Sequence, residues 1–284
     1  MHSIFDYNNE KKDILEEVKT LEYMFSADVS VRKIKNPLMY DPYNSLPFTM
    51  SFEKCIDEYL FPGWPNRDLS ATVKQYREKR HIADCSKLKK EDDTCFMYLE
   101  FLYNMMKLLS DNIDSLPIEI HRQKEANIIE NIEAICSSLN FQFRKVNKNQ
   151  YRLFEIDSAI TGTLKLVPPT VASAILDYNY YFNRNSTDKK RKALKVIADD
   201  FEAIRSRLES NNLKGLCTDI GFVLNSLSVR HNNSKNPVVK AMKPSDFNTW
   251  YDYAFRMYLQ ARLTLERIEK QNAFNLMKSE VTGR

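Results

Sequence analysis

The spacing of apolar positions changes several times along the chain, and each change predicts a different element. Between 11 and 25, Ile14, Leu15, Val18, Leu21, Tyr23, Met24 and Phe25 recur at helical intervals with acidic residues between them, the pattern of an amphipathic helix. Asn36-Pro37, Asp41-Pro42 and Leu46-Pro47 then turn the chain into an extended passage, because proline fixes its own φ and pushes the preceding residue out of the helical region. A short helix is expected at 52–61, with Phe52, Cys55, Ile56, Tyr59 and Leu60 on one face and Phe61-Pro62-Gly63-Trp64-Pro65 as its stop. Asp68 or Ser70 is the expected cap of a charged helix running through Arg80. Residues 96–109 are densely apolar, with Phe96, Leu99, Phe101, Leu102, Met105 and Met106 among them. That density predicts a central core helix.

A second texture begins near 127. Ile128, Ile129, Ile132, Ile135 and Leu139 mark a helix, after which 141–146 and 151–156 alternate apolar with polar around Asn147-Lys148-Asn149-Gln150. Period-two alternation about a polar connector predicts a β-hairpin. A helix followed by a hairpin suits a winged nucleic-acid reader with Arg144, Lys145, Lys148 and Arg152 on the wing, and equally a small α+β spacer. Pro168-Pro169-Thr170 opens the last region, where helices are expected at 170–183, 189–210, 213–229 and 244–271, with a charged tail beyond Gln271 that frays. Ser186-Thr187-Asp188 supplies the second of these with cap residues. Four helices with short connections describe a bundle. The fold class is therefore mainly α: an N-terminal helical region at 1–117, a helix plus β-hairpin unit at 118–167, and a C-terminal antiparallel helical bundle at 168–284.

Composition narrows this picture only slightly. Of 284 residues, 43% are hydrophobic and 28% charged, an ordinary globular profile. Five glycines against 15 tyrosines and 16 phenylalanines favour bulky helical packing over tight turns. A formal charge of +4 gives weak steering toward anions and does not by itself indicate nucleic acid. The five cysteines, Cys55, Cys85, Cys95, Cys136 and Cys217, form no Cys-x-x-Cys pair and no zinc spacing. They read as reduced, buried thiols. No run approaches the eighteen or so apolar residues of a membrane span, so a cytoplasmic protein without a membrane partner is expected. No glycine-rich phosphate loop, His-Glu-x-x-His or Gly-x-Ser-x-Gly occurs, and neither cofactor nor metal is expected. His81 reads as a helix-surface residue, and His121 suggests no role of its own.

The stretch richest in chemistry is Ser228-Val229-Arg230-His231-Asn232-Asn233. Arginine grips phosphate through a permanently charged planar fork, and histidine exchanges protons near neutrality. Arg230 and His231 are the candidate catalytic residues, with Asn232, Asn233 and Lys235 as candidate substrate-binding residues. The plainer reading is a helix C-cap, with asparagine in the left-handed position and the cations facing terminal carbonyls. Both readings stand at the level of sequence.

Taken with its surroundings, this stretch carries a resemblance. Ala193-Leu194-Lys195-Val196-Ile197-Ala198-Asp199, then Phe201-Glu202-Ala203-Ile204-Arg205, the Arg230-His231-Asn232-Asn233 run and a Trp250-Tyr251-Asp252-Tyr253 helix resemble the C-terminal region of bacterial abortive-infection (AbiJ-like) proteins. Those proteins place an Arg-His-His or Arg-His-Asn run between two bundle helices, and residues 127–169 are similar to the part that precedes the bundle. More broadly the arrangement resembles the HEPN superfamily of helical bundles, which often dimerise and cut RNA without metal. The resemblance covers about the second half of the chain. It implies an anti-phage or toxin-like metal-independent RNase, with His231 as general acid/base and Arg230 stabilising charge on phosphorus. The superfamily signature separates its Arg and His by four to six residues, whereas Arg230 and His231 are adjacent. Neighbouring helical residues point about 100° apart, so this pair converges on one phosphate only where the helix has ended. Two further readings stand beside the RNase: a non-catalytic RNA- or protein-binding regulatory module of a defence system, and a helical dimerisation scaffold. RNA and a second copy of the chain, forming a homodimer through Trp250, Tyr251, Phe255 and Tyr258, are the expected partners.

Overall fold

Capping fixes where several helices begin. The Asp13 carboxylate accepts a hydrogen bond from the Leu15 amide at 3.1 Å and starts α1 (Ile14–Ser26), and Ser51 does the same for α2 (Phe52–Tyr59) through the Lys54 amide at 3.2 Å. The computed structural model describes residues 13–33, 47–88, 94–120, 122–229 and 236–282, with the backbone alone at Cys85 and Arg122. Among the described residues the fold is mainly α, and it divides into two compact units, Met1–Leu153 and Phe154–Arg284.

In the first unit, β1 (Asp28–Lys33) follows α1 and pairs antiparallel with β2 (Phe48–Ser51). Alternation along β1 buries Val29 and Val31 and exposes Ser30 and Arg32, as a half-buried strand requires. This sheet is not anticipated by the sequence reading, because the inward-facing run is only two valines long. The charged helix α3 (Val73–Lys79) is capped by Thr72, whose hydroxyl accepts from the Gln75 amide at 3.2 Å, and not by Asp68 or Ser70. Asp68 has φ 53°, which is not the extended conformation of a cap residue. His81 lies beyond that helix, exposed, with φ 55° in the left-handed region. The apolar helix α4 (Thr94–Asn112) is buried on nearly every side, and Tyr98, Leu99, Leu102, Met105, Met106 and Leu109 are fully enclosed.

After β3 (Ile118–Ile120), which joins β1 to give the order β2-β1-β3, come α5 (Arg122–Ser138) and the hairpin β4 (Phe141–Asn147) and β5 (Gln150–Glu155). The hairpin is present where alternation placed it. Its aromatic face belongs to the core of the first unit: Phe143 stacks on Tyr103 at 3.9 Å, and Leu153 is fully buried. The division between the two compact units falls within β5. The tip is fastened as well. Trp64 Nε1 donates to the Asn149 carbonyl at 3.0 Å, and Asn66 donates to the Lys148 and Asn149 carbonyls. Lys145 packs over the Tyr151 ring at 5.7 Å and Arg144 donates to Gln142. These engagements are those of a packed hairpin more than of a free wing.

The second unit holds α6 (Ser158–Leu164), α7 (Pro169–Asn179), α8 (Thr187–Ser210), α9 (Lys214–Ser226), α10 (Pro237–Ala241) and α11 (Pro244–Thr282). Ser186 caps α8, as its sequence suggests. Leu194, Ile197, Phe201, Leu224, Phe255 and Leu259 share one core. Successive long helices alternate in direction, so the second and fourth, α8 and α11, run parallel. Their side chains meet with an almost constant offset in sequence: Thr187 with Asn248, Lys190 with Asp252, Asp200 with Arg262, and Arg207 with Glu269. At Gly162 an added Cβ would stand 2.9 Å from Leu263 Cδ2, so the glycine permits the close approach of α6 to α11. Beyond Gln271 the last helix continues to Thr282. Among the described residues no helix is long and apolar enough to cross a membrane, and Cys55, Cys95, Cys136 and Cys217 are buried free thiols.

The first unit encloses one electrostatically costly cluster. Arg77 is buried, its guanidinium 5.3 Å from the centres of the Tyr98 and Phe101 rings, with Glu53 at 3.9 Å and Asp84 at 3.1 Å. Burial raises the Glu22 carboxyl above its ordinary value of 4.5, Arg77 lowers it, and the Glu53 charge raises it again, for a net rise. A carboxyl raised in the folded state binds its proton more tightly there than in the unfolded chain. Its contribution to stability is thus present below pH 4.5 and lost as pH climbs through the folded value. Glu22→Gln, which keeps the shape and removes the charge, is expected to raise the melting temperature at pH 7.5 and to leave it little changed at pH 4. Circular dichroism melts at the two pH values check this; a lower melting temperature at pH 7.5 would show attraction to Arg77 to be the larger effect.

Candidate functional site

The functional residues nominated by the sequence, Arg230, His231, Asn232, Asn233 and Lys235, lie outside the described residues. What precedes and follows them is defined. Helix α9 stops at Ser226, where the Leu227 amide donates to the Val223 carbonyl, and Ser228 takes φ 62°. The left-handed residue that ends this helix is therefore Ser228 and not an asparagine. Leu227 and Val229 are buried in the bundle core, and the buried Tyr251 hydroxyl donates to the Leu227 carbonyl at 2.8 Å. On the far side, the Asn236 side chain accepts from the Val238 amide at 2.9 Å and caps α10, with Pro237 in the first helical position and Val239 buried. Both flanks of the run are thus anchored to the bundle, and α9 has ended four residues before Arg230.

Elsewhere in the bundle, polar groups concentrate along the line where α8 meets α11. Lys190 is almost wholly buried, and its ammonium donates to both Asp252 oxygens, at 2.6 and 2.9 Å. The Tyr178 hydroxyl donates to Asp252 Oδ1 at 2.6 Å, the Lys190 ammonium sits 5.4 Å from the Tyr178 ring centre, and Tyr178 stacks on Phe255 at 4.2 Å. Burial, then the Asp252 charge and the hydrogen bond to it, pushes the tyrosine hydroxyl far above its ordinary value. Tyr178 is consequently a fixed donor and not a base. Three turns further on, Arg262 Nε donates to Asp200 Oδ2 at 2.8 Å and its Nη2 to Asp200 Oδ1, while the Tyr258 hydroxyl also donates to Asp200. Burial lowers the Arg262 value, and the bonds to Asp200 and Tyr258 more than restore it, for a net rise.

Each member of these two clusters is committed to a partner. Their chemistry is that of a structural fastening: opposite charges paired, with bidentate geometry at Arg262. Sequence reasoning missed the role of Lys190, Asp200 and Asp252. The available signal was Arg262 within an otherwise apolar stripe, since a cation at a core-facing position requires a buried anion on the opposing helix. Among the described residues no group of three or more His, Cys, Asp or Glu side chains is arranged to hold a metal ion. The chain matches no protein-family model, no curated protein and no solved structure.

The two kinds of ion pair on this line separate by burial. The Asp200 and Arg262 side chains are 7% and 12% exposed, against 50% and 54% for Glu269 and Arg207. Removing one partner of a buried pair strands the other, a loss of about 3 to 5 kcal/mol, whereas exposed pairs contribute about 0 to 1 kcal/mol. Arg262→Ala should therefore lower stability by about 3 kcal/mol or more, and Arg207→Ala by less than about 1 kcal/mol. Urea denaturation of the two variants checks the contrast, and equal losses would refute it.

Proposed function

We propose that the C-terminal bundle is a metal-independent RNA-cleaving module of HEPN-like type, serving anti-phage defence or acting as a toxin. The observation that carries this reading is the end of α9 at Ser226 with a left-handed residue at Ser228. An end of α9 before the run supports convergence of two adjacent side chains, which within one helix diverge by about 100°. The C-cap of α9 is Leu227, followed by the left-handed Ser228. Further support comes from the anchored flanks, because a catalytic run gains precision when its neighbours are fixed by packing.

In this mechanism His231 removes the proton of a ribose 2′-hydroxyl and returns a proton to the leaving 5′-oxygen. The 2′-oxygen attacks phosphorus, the bond to the 5′-oxygen breaks, and a cyclic phosphate and a free 5′-hydroxyl result. Arg230 neutralises charge on the phosphoryl oxygens as it develops, and Asn232, Asn233 and Lys235 hold the adjoining backbone. None of these steps uses a cofactor.

The test is purified full-length protein on total RNA in EDTA. Wild type is expected to cut. His231→Ala should reduce the rate by about 10² to 10⁴, the usual worth of general acid–base catalysis, with an unchanged melting temperature. Arg230→Lys should also be severely impaired, since a point charge does not reproduce the guanidinium fork. Intact RNA with wild type, together with a lowered melting temperature for His231→Ala, would assign the run a structural role and leave a binding module.

A further inference from the structure

Trp250 and Tyr253 stand apart from the other aromatic residues of α11. Phe255, Tyr258 and Tyr251 are enclosed, whereas Trp250 is 47% and Tyr253 53% exposed, their rings edge to face at 6.2 Å. They lie on the outer face of the first turns of the helix. Lys240 and Lys243 are exposed just before that helix begins, and neither has an ionic partner among the described residues. Pro244 opens the helix, so at 1.5 Å per residue both rings fall within roughly 15 Å of it along the axis. The charge around them is one-sided in sequence. Between Asp219 and Asp246 there is no acidic residue, and Arg230, Lys235, Lys240 and Lys243 are basic. On α11 itself Asp252 is paired with Lys190, while Asp246 keeps its charge and accepts from the Lys243 amide.

We propose that the Trp250–Tyr253 face, with Lys240 and Lys243, docks a single-stranded segment of RNA. An acidic, ring-bearing polymer matches both features, for cations hold its phosphates and exposed rings take its unstacked bases. A duplex keeps its bases stacked and offers the rings nothing. The inference rests on the RNA reading above for the choice of RNA, and on the exposed rings for the single strand.

The chain has two tryptophans, and Trp64 is buried and bonded to Asn149, so quenching of the exposed, longer-wavelength emission reports on Trp250. The experiment titrates full-length His231→Ala protein, chosen to slow any cleavage, with an oligoribonucleotide of about ten residues, within the span of one such site. The same sequence as DNA and as duplex RNA serves for comparison. The single-stranded RNA is expected to bind and quench. Read by the anisotropy of a dye-labelled oligonucleotide, because these variants lack the reporting indole, Trp250→Ala should bind about 5- to 150-fold more weakly with an unchanged melt, and Trp250→Phe should recover most of the loss. Lys240→Glu with Lys243→Glu should flatten the slope of log affinity against log salt by about 1.4. Wild-type affinity in Trp250→Ala, or equal binding of duplex or DNA, would overturn the proposal. So would a dimer, seen by light scattering, that Trp250→Ala dissolves while no RNA binds. Trp250-dependent binding by a protein that never cuts RNA supports this surface and removes the cleavage reading. Cleavage with a KM indifferent to Trp250→Ala does the reverse.

Discussion

The buried pairing of Asp200 with Arg262 is the constraint on which the second unit turns. Two opposite charges, both nearly out of solvent, are costly to bury and are tolerated only with good geometry. Here the guanidinium meets the carboxylate through two nitrogens, and the Tyr258 hydroxyl takes a further lone pair. A slip of α11 by one turn against α8 would leave both charges buried and unpaired. It would also part Lys190 from Asp252 and Arg207 from Glu269, because all these pairs share nearly the same offset. Apolar packing favours contact between the two helices and is indifferent to small sliding; the charges select one register. Parallel helices bring like dipole ends together, a cost of a fraction of a kcal/mol under screening, which the paired charges readily offset.

That register also holds the end of α9, which precedes the candidate run. With α11 fixed on α8, Tyr251 is held where its hydroxyl meets the Leu227 carbonyl, and the end of α9 is pinned. Val229 before the candidate run and Val239 after it, in the helix that Asn236 caps, both belong to the bundle core. A buried salt bridge and a buried tyrosine thus hold the segment that leads into the candidate run. The same arrangement turns Trp250 and Tyr253 outward, since the helical repeat that encloses Tyr251, Ala254 and Phe255 leaves their neighbours on the opposite face.

The first unit is organised differently. Its centre is a helix apolar on all sides, α4, against which α1, α2, α5 and the hairpin pack. Polar groups enter this core at Arg77 and its surrounding carboxylates, where burial and like charge raise the glutamates. The hairpin that looks like an independent element along the sequence is committed through Phe143, Tyr151 and Leu153 inward and through Trp64 and Asn66 at its tip.

The sequence by itself determined the elements that depend on local pattern. Helical periodicity placed α4, α8 and α11, period-two alternation placed the hairpin, and Ser186 announced the start of α8, since each follows from residues close together in the chain. It also singled out Arg230 and His231, for residue types are legible without coordinates. Tertiary structure decided what depends on distant partners: the β1–β2–β3 sheet, which strands far apart in sequence assemble; the capture of the hairpin by the first unit; and the parallel register of α8 on α11. It also decided that α9 stops at Ser226, where Tyr251, twenty-four residues downstream from Leu227, takes the carbonyl that a longer helix would have used. A carbonyl accepts from whichever donor the packed chain presents, and that donor is set by the fold and not by the neighbouring residues.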